Sequence, residues 1–599
     1  MKRFYFQNLL FCIACLLCTT PSWGQSVCNN WQKTSYIEGS CLNDNTPSKL
    51  ITDDEGNSYI YGRYQSELIL NGIPLVSAGE GSFLAKVDAE GTLLWSKRIQ
   101  NLYTFYNDYV IALDRTGDHV FIMGSFFQGR DVSFLDDGNE QVIGSRKRST
   151  GTLVMKYSKE GQLVWKLRGE EEEPLYSDNP QASMEVDGLG NLYVYAEYTT
   201  EMVFGGVSTG KDNGTNRYLL KINSNGQVAW LKRFDIEVSG NNTATDGDIT
   251  LSTDDTFGYV TFSEVRGRRV ALGDGYVIPQ VASEGSYVVL IKFGSDGSIL
   301  GYRYLLEDKT SYSASEQVNL STKISLTPAN EIFLTTQYLA NQAGVLFMGK
   351  PLTDVPLTIN NSQSTHLLGK LDINEQLKWV SAYQTDRNAG IATEDLSLVE
   401  GGKYVLSMYN KHLRRTTDFG LTLWQKQIPN SIRNLAFDLY DTDVYVLHDQ
   451  NSSAGCSFTR LTDDLLVTPL EESNLCTGQT IAVPFELVCA SSNRWRAELI
   501  DTNNNNTVVA TGVGTSSPIA LTIPLALTGG DYIIRVVEDI EQGDEFIGSS
   551  NYLTVNISAS TLALAPLEEV DYCASQVAPY SFTESCPNPS LSYQLELSL

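Results

Sequence analysis

Residues 87–99 read VDAEGTLLWSKRI, and variants of this stretch recur along the chain. The other copies are MKYSKEGQLVWKLR (155–168), LKINSNGQVAWLKRF (220–234), IKFGSDGSILGYRY (291–304), GKLDINEQLKWVSAY (369–383) and LRRTTDFGLTLWQKQI (413–428). In most copies a basic residue precedes a tryptophan by nine positions, as Lys86 precedes Trp95. The copy at 291–304 has Tyr302 instead, one position further from Lys292.

Each copy has the pattern of a β-hairpin: an apolar run, a polar turn with glycine, and a second apolar run. Gly91 stands where the turn needs a positive φ, which glycine adopts without strain. A three-residue loop would put Val87, Leu93 and Trp95 on one face and Lys86 on the other. We expect the tryptophan to be a packing anchor and the lysine to be structural, its stem lying on apolar neighbours.

Another hairpin precedes each of these, as in LITDDEGNSYIYGRY (50–64), with a turn rich in Asp, Asn and Gly. Two hairpins make a four-stranded unit, and such units repeated along a chain are typical of propeller blades. We count seven, but the last lacks its final strand after CSFTRLTDD (456–464). WQKTSY (31–36) stands alone at the other end and should supply that strand. The prediction is an all-β chain with a seven-bladed β-propeller at 25–465.

The pattern D-x-x-G-N-x-Y-[VI], a spacer, and F-x-x-K-x-D-x-x-G-x-x-x-W occurs at 53–60 and 83–95. It resembles the β-propeller repeat of secreted bacterial proteins, over roughly residues 29–465. Such proteins are extracellular, often multidomain and mostly without known activity. The resemblance therefore implies location more firmly than function.

After residue 465 the sequence changes character. TPLEESNLC (468–476) is echoed by APLEEVDYC (565–573), and Cys489 by Cys586, each 97 positions later. This period fits one immunoglobulin-like sandwich, so we predict such a domain at 466–560 and a truncated second copy at 561–599. These modules resemble the adhesin-type domains that follow propellers in Gram-negative bacteria using type IX secretion.

Seven cysteines remain after the predicted signal peptide, and export makes disulfides the default for them. A pair spaced by 13 residues recurs in both modules, so we predict the disulfides Cys476–Cys489 and Cys573–Cys586. The remaining mature cysteines are Cys28, Cys41 and Cys456. Cys41 could join Cys456 across the ring closure, or Cys28 locally, and the sequence does not choose between them.

The N-terminus predicts export. Lys2 and Arg3, an apolar run from Leu9 to Leu17 and small residues near Gln25 are typical of a signal peptide at 1–24. With 43 basic and 71 acidic residues, the net charge of -28 argues against nucleic-acid binding. We expect a monomeric propeller, secreted or on the surface of a Gram-negative bacterium, with no membrane insertion after signal removal.

The sequence contains no recognisable catalytic motif. The four histidines (His119, His366, His412 and His448) have no metal-ligand spacing, so no metal and no cofactor are predicted. Carboxylate pairs such as Asp53 with Asp54 and Asp254 with Asp255 fall in turns, where Asp bonds its own backbone. Calcium binding at DTNNNN (501–506) is an alternative, although no complete ligand loop is present.

Our first functional hypothesis is a non-catalytic binding or adhesion protein, with an extracellular glycan or protein as partner. Its candidate contact loop is the insert at 126–151, where Arg146, Lys147 and Arg148 cluster in an acidic chain. The alternatives are an extracellular polysaccharide-degrading hydrolase or lyase, and a purely structural stalk segment of a larger surface protein.

Overall fold

A computed structural model of the chain describes most of residues 31–586. The described ranges are 31–38, 49–64, 68–70, 73–76, 81–103, 110–126, 130–136, 139–143, 149–172, 182–198, 200–210, 216–236, 247–264, 269–279, 286–308, 322–338, 345–351, 363–386, 395–399, 402–409, 412–427, 435–440, 443–449, 456–461, 465–470, 472–487, 494–539, 548–549, 551–559, 562–564, 582–584 and 586.

The first and larger part of the chain consists of short antiparallel strands. In chain order they are β1 (Trp31–Glu38), β2 (Lys49–Thr52), β3 (Ser58–Tyr64), β4 (Leu68–Leu70), β5 (Ile73–Val76), β6 (Gly81–Val87), β7 (Leu93–Gln100), β8 (Val110–Leu113), β9 (His119–Phe126), β10 (Val132–Asp136), β11 (Asn139–Ile143), β12 (Ser149–Ser158), β13 (Leu163–Glu172), β14 (Ala182–Val186), β15 (Leu192–Tyr198), β16 (Met202–Phe204), β17 (Val207–Ser208), β18 (Asn216–Ile222), β19 (Val228–Ile236), β20 (Ile249–Leu251), β21 (Phe257–Glu264), β22 (Val270–Gly273), β23 (Tyr276–Ile278), β24 (Ser286–Gly294), β25 (Ile299–Asp308), β26 (Thr322–Leu326), β27 (Ile332–Tyr338), β28 (Val345–Phe347), β29 (Lys350–Pro351), β30 (Gln363–Leu371), β31 (Leu377–Asp386), β32 (Asp395–Val399), β33 (Tyr404–Tyr409), β34 (His412–Thr417), β35 (Thr422–Gln427), β36 (Leu435–Tyr440), β37 (Asp443–Asp449) and β38 (Cys456–Leu461). No α-helix occurs in the described part of the chain, in agreement with the all-β prediction.

These strands form seven sheets, each built on four successive hydrogen-bonded strands. In order, the four strands are β2-β3-β6-β7 in sheet one, β8-β9-β12-β13 in sheet two, β14-β15-β18-β19 in sheet three, β20-β21-β24-β25 in sheet four, β26-β27-β30-β31 in sheet five, β32-β33-β34-β35 in sheet six and β36-β37-β38-β1 in sheet seven. The first strand of each sheet contacts the first strand of the next, and β36 contacts β2. Sheets arranged radially around a common axis in this way form a β-propeller.

The ring is closed by the first strand of the chain. β1 pairs antiparallel with β38, with Trp31 opposite Leu461 and Ile37 opposite Cys456. The predicted pairing of the segment near residue 31 with the segment near residue 458 is therefore confirmed. Because β1 is the fourth strand of a sheet whose first three strands, β36–β38, come from residues 435–461, the two ends of the ring are held by one ladder.

The repeated lysine and tryptophan lie opposite each other in the last hairpin of a sheet. Lys86 is opposite Trp95 and Val87 opposite Leu93, because a β-bulge leaves Leu94 without a partner. Residues directly opposite in an antiparallel pair share a face. The expectation that Lys86 and Trp95 occupy different faces is therefore wrong, since it assumed a loop without a bulge.

Four of the repeated tryptophans join their own sheet to the next. Nε1 of Trp95 donates a 2.8 Å hydrogen bond to the backbone oxygen of Lys159, in the last turn of sheet two. The indole ring lies against Gly161, where a Cβ atom would be 2.8 Å from the ring and φ is +82°. Glycine is thus needed both for space and for conformation. The same contact, here called the tryptophan clasp, joins Trp165 to Ser224 and Gly226, Trp230 to Ser295 and Gly297, and Trp379 to Asp418 and Gly420.

The repeated lysine is bound within its sheet. Nζ of Lys86 lies 3.1 Å from a carboxylate oxygen of Asp53, in the first turn of sheet one, and 4.7 Å from the centre of the Tyr59 ring. Only 4% of Lys86 is exposed, so the lysine is structural, and the turn Asp keeps it paired. Related contacts join Lys221 to Asp187 and Tyr193, and Lys370 to Glu331 and Phe333.

The junction between sheets four and five replaces the clasp by polar contacts. Gly301 is opposite Lys292, in the position of the tryptophan. In the following sheet Glu375 replaces the turn glycine, with a φ of +60°. Its carboxylate accepts a 3.0 Å hydrogen bond from the Tyr259 hydroxyl and forms ion pairs with Lys292 and Arg303. Compared with the other junctions, Gly301 stands in place of the tryptophan and Glu375 in place of the turn glycine. The Glu375 side chain contacts sheet four across the junction.

This exchange predicts that the two positions are coupled. Gly301→Trp alone should place an indole on the Glu375 side chain, and Glu375→Gly alone should remove that side chain's hydrogen bond and ion pairs. We expect each to lower the free energy of unfolding by about 1–3 kcal/mol. The double variant should restore a clasp and be at least about 1 kcal/mol more stable than the sum of the single changes. A double-mutant cycle by urea unfolding measures this, and additive losses would contradict it.

Five sheets are widened by a hairpin that belongs to the following sheet. The hairpin β10–β11 lies between the second and third strands of sheet two, but Ser133 and Phe134 pair with Gln100 and Ile99 of β7 in sheet one. The remaining cases are β4–β5 on β1, β16–β17 on β13, β22–β23 on β19 and β28–β29 on β25. The hairpins bury apolar side chains, such as Val132, Phe134, Met202, Phe204, Val270 and Leu272, at the junctions.

The second part of the chain packs around its own core. Its strands are β39 (Leu465–Val467), β40 (Asn474–Cys476), β41 (Thr480–Val483), β42 (Phe485–Leu487), β43 (Trp495–Asp501), β44 (Thr507–Gly514), β45 (Ile519–Thr522), β46 (Gly530–Glu538), β47 (Leu553–Ser558), β48 (Leu562–Leu564) and β49 (Phe582–Glu584). A five-stranded sheet, β40-β47-β46-β43-β44, accompanies the pairs β39-β42, β41-β45 and β48-β49. Trp495 is 3% exposed and lies in the core beside Phe485.

This second part contacts sheet six. The Tyr552 ring lies 5.9 Å from Tyr404 and 5.4 Å from Phe419, measured between ring centres. Asn506 donates a hydrogen bond of 3.1 Å to the backbone oxygen of Phe419, and Arg535 donates one to that of Thr422. The contact therefore involves the last hairpin of sheet six and reaches its fourth strand, β35, at Thr422.

The disulfide in the structure differs from the predicted pairs. Cys476 is bonded to Cys586, with Cα atoms 5.6 Å apart, within the usual range for a disulfide. The predictions Cys476–Cys489 and Cys573–Cys586 do not hold, because each needs one of these two sulfurs; Cys489 and Cys573 lie outside the described residues. The spacing of 13 residues suggested a disulfide within each copy of the repeat. The observed bond instead joins the first copy to the second.

Candidate functional site

The first strands of the seven sheets enclose a cavity of about 380 Å³ on the axis of the ring. In β14 the burial alternates: Ala182, Met184 and Val186 are buried between sheets, while Ser183 and Glu185 line the cavity. This alternation is the two-residue period of a strand. The polar lining consists of Lys49, Arg115, Ser183, Glu185, Asp248, Thr250, Thr253, Lys323, Ser325, Ser397 and Asp438.

Two aspartates of the axial cavity each connect three sheets. Asp248, in sheet four, accepts a 2.7 Å hydrogen bond from the Ser183 hydroxyl of sheet three and a 3.0 Å bond from the Ile324 backbone of sheet five. Asp438, in sheet seven, accepts hydrogen bonds from the Thr52 backbone of sheet one and the Ser397 hydroxyl of sheet six. Among the described strands, the first strands of neighbouring sheets are not paired with each other by backbone hydrogen bonds. The two carboxylates supply hydrogen bonds between them instead.

Glu185 is a cavity group with altered acidity. Burial raises the pKa of Glu185 to about 7, the negative charge of Asp248 adds to the rise, and Arg115 opposes it. A carboxyl with a pKa near neutrality can hold or release a proton at physiological pH. The cavity can therefore offer either a hydrogen-bond donor or a negative charge at this point.

This pKa predicts a pH-dependent stability. Because the folded pKa of about 7 exceeds the ordinary value of 4.5, the stabilising contribution is complete below about pH 4.5 and is lost as the pH rises through 7. Glu185→Gln keeps the side chain neutral. We expect that variant to be about 2–3 kcal/mol more stable than the native chain at pH 8 and equally stable at pH 4. Urea unfolding across this range tests it, with the exposed Glu140→Gln as control; parallel curves would contradict it.

One end of the axial cavity is crossed by Arg115. This residue lies in the first turn of sheet two, yet it donates 2.8 Å hydrogen bonds to the backbone oxygens of Ser252 and Thr253 in sheet four. It also forms a 3.0 Å ion pair with Asp255 of sheet four, which in turn accepts a hydrogen bond from the Gly188 backbone of sheet three. The guanidinium group therefore narrows the end of the cavity at the turns between first and second strands.

Asp53 and Asp254 have the role predicted for them, whereas Asp255 binds Arg115 of sheet two and the Gly188 backbone of sheet three. Asp53 accepts hydrogen bonds from the backbone of Glu55 and Asn57, its own turn, and also binds Lys86. Asp254 accepts bonds from Ser252 and Thr256. These contacts use the carboxylate oxygens to hold hairpin turns.

The predicted contact loop is partly described. Within residues 126–151, β10 and β11 are built into the edge of sheet one, so this part of the insert joins two sheets. Arg146, Lys147 and Arg148 lie outside the described residues. The contact role of these basic residues stays a prediction.

The axial cavity was not predicted from the sequence. The signal was present as polar residues alternating with apolar ones in a first strand, as Ser183 and Glu185 alternate with Met184. In the described ranges, no group of three or more His, Cys, Asp or Glu side chains is arranged to hold a metal ion. The same residues include no helix long and apolar enough to cross a bilayer.

No protein family and no curated protein matches the chain. Solved structures similar to it include a crystal structure of Raptor from Chaetomium thermophilum, at 9% identity and a TM-score of 0.35, covering 73% of this chain and 29% of that one. A protein of unknown function from Bacteroides caccae has 8% identity and a TM-score of 0.26, covering 64% of this chain and 94% of that one. The Dos1 propeller has 8% identity and a TM-score of 0.27, covering 61% and 94%.

Proposed function

We propose that the chain is a non-catalytic binding protein, secreted or on the cell surface of a Gram-negative bacterium. In this proposal a seven-bladed propeller displays the binding site, and an immunoglobulin-like domain carries it. The observation that supports it is the axial cavity, to which all seven first strands contribute. Its volume of about 380 Å³ falls in the range of small-molecule sites, about 300–1,000 Å³.

The lining favours a polar ligand. Hydroxyl groups of Thr250 and Ser325 line the cavity together with charged groups of both signs, such as Lys323 and Glu185. Sugars present the matching array of donors and acceptors, so we propose that the terminal residue of an extracellular glycan enters the cavity. A polar site of this kind gives orientation and specificity through a few placed groups.

A glycan array with the purified chain tests this function. We expect binding to a restricted set of glycans, weakened at least tenfold by Lys323→Ala. The matched control is Lys232→Ala, because Lys232 pairs with Asp274 on the outer part of sheet three, away from the cavity. Binding that is unaffected by Lys323→Ala would place the site elsewhere. If no glycan and no extracellular protein binds, the proposal fails, and a purely structural stalk segment becomes the favoured interpretation.

One observation favours a second candidate, a polysaccharide-degrading enzyme. Glu185, whose pKa is raised to about 7, lies close enough to the Asp248 carboxyl for the charge of Asp248 to contribute to that rise, and acid/base cleavage of glycosides uses two neighbouring carboxyls. Release of product from labelled polysaccharides would support the enzyme, provided that Glu185→Gln abolishes the release. Binding without product supports the first proposal.

A further inference from the structure

The outer strands of the seven sheets differ in what covers them. Hairpins pair with β1, β7, β13, β19 and β25, and the second part of the chain contacts β35 of sheet six at Thr422. In the part of the chain that the structure describes, no strand pairs with the outer edge of β31, in sheet five. This strand, Leu377–Asp386, has 10 residues, as many as any strand in the ring.

The length of one connection explains the difference. Each covering hairpin belongs to the link between the second and third strands of the following sheet. In sheet six this link consists of Asn410 and Lys411 alone, because Tyr409 is already opposite His412. Two residues suffice for a tight turn and cannot form a hairpin. The neighbouring sheet therefore cannot cover β31 as the other sheets cover theirs.

We propose that the outer edge of β31 binds an extended strand of a partner polypeptide by antiparallel β-pairing. This proposal rests on the binding role proposed above and names a protein partner at a second surface. Backbone N–H and C=O groups on a sheet edge are a template for an added strand, and main-chain hydrogen bonds give such contacts their affinity.

The chain itself shows the chemistry of the bound strand. In β16 the residues Met202 and Phe204 are 2% and 0% exposed, and a tight Gly-Gly turn follows. The strands β10 and β22 likewise bury two apolar residues separated by one. In sheet one the contact lies four and five positions after Trp95, at Ile99 and Gln100. The corresponding positions of β31 are Tyr383 and Gln384, so a partner strand with the pattern apolar, any, apolar fits there.

A labelled peptide of residues 200–210, TEMVFGGVSTG, is the probe, and the full chain is the receptor. We expect saturable binding by fluorescence anisotropy, weakened at least tenfold when Met202 and Phe204 of the peptide are replaced by serine. Inserting the same eleven residues between Asn410 and Lys411 should cover the edge within the chain. Peptide affinity should then fall at least tenfold and the Tm should rise. An eleven-residue Gly-Ser insert should neither weaken peptide binding nor raise the Tm.

The outcomes separate this proposal from the glycan-binding function. Loss of peptide binding in the hairpin insert, with glycan binding unchanged, supports the edge of β31 as the site. No peptide binding, or equal binding to both inserts, overturns the edge proposal and leaves the axial cavity untouched. Dimerisation of the native chain that the hairpin insert abolishes, seen by sedimentation, would also overturn it, because a second copy would then occupy the edge.

Discussion

A chain that lacks residues 31–38 is expected to lose the cooperative unfolding transition of the ring. β1 forms six paired positions with β38, and at about 0.5–1.5 kcal/mol for each hydrogen bond the ladder contributes on the order of 5 kcal/mol. This is comparable to the whole stability of many domains, about 5–15 kcal/mol. Its removal also exposes the edges of β38 and of the hairpin β4–β5. Circular dichroism during thermal unfolding, with light scattering for aggregation, measures the effect.

A pair of proline variants provides the control for the closing strand. Ile37 is paired on both sides, with Cys456 and with Leu70, so Ile37→Pro breaks a ladder whichever way its N–H points. Thr34 lies at the β-bulge and has no partner in the register, so Thr34→Pro should be far milder. Equal stability of the two variants, or an intact transition in the shortened chain, would show that the ring closes by another contact.

Trp165→Ala should cost about 3 kcal/mol in the free energy of unfolding. The ring of Trp165 packs against the core between sheets two and three and lies 5.8 Å from the Phe121 ring. Its Nε1 donates a 3.0 Å hydrogen bond to the backbone oxygen of Ser224. Truncation removes both contacts and leaves a cavity at the junction. Urea unfolding followed by circular dichroism measures the loss.

Two further variants separate packing from hydrogen bonding at this clasp. Trp165→Phe keeps a ring and loses the N–H donor, so about 1 kcal/mol should be lost. Gly226→Ala places a Cβ atom 2.9 Å from the Trp165 ring at a φ of +82°, so it should cost about 1–3 kcal/mol in the native chain. Part of that cost should disappear when Trp165 is already alanine. If Gly226→Ala costs the same in both backgrounds, ring contact is not what selects glycine.

These experiments address one physical property of the fold. Each sheet of the ring buries its faces against its neighbouring sheets, so stability depends on the junctions around the whole ring. Tryptophan clasps, covering hairpins, axial aspartates and the closing strand are different contacts at those junctions.

The hairpin motifs were readable from the residues because their causes are local. Alternation of apolar residues, Asp at the start of a turn and Gly where φ is positive specified the strands and turns around Gly91 and Asp53. The ring closure was also predictable, because an incomplete last sheet and a lone strand at 31–36 complete each other. In the last hairpin of sheet one, however, the bulge at Leu94 places Lys86 on the same face as Trp95, contrary to the prediction, since one unpaired residue shifts the register.

The partner of each repeated residue was not readable from the chain. A turn glycine and a tryptophan recur together in most of the hairpins, as Gly91 and Trp95 do. Trp95 nevertheless packs on Gly161, the turn glycine of the next sheet. Cys476 was matched to a nearby cysteine by spacing and is bonded 110 residues away. The acidity of Glu185 needs Asp248 and burial on the axis. Sequence alone therefore determined the strands and turns, which depend on neighbouring residues, and the tertiary structure alone decided the clasps, the disulfide and the axial cavity, which depend on distant segments brought together.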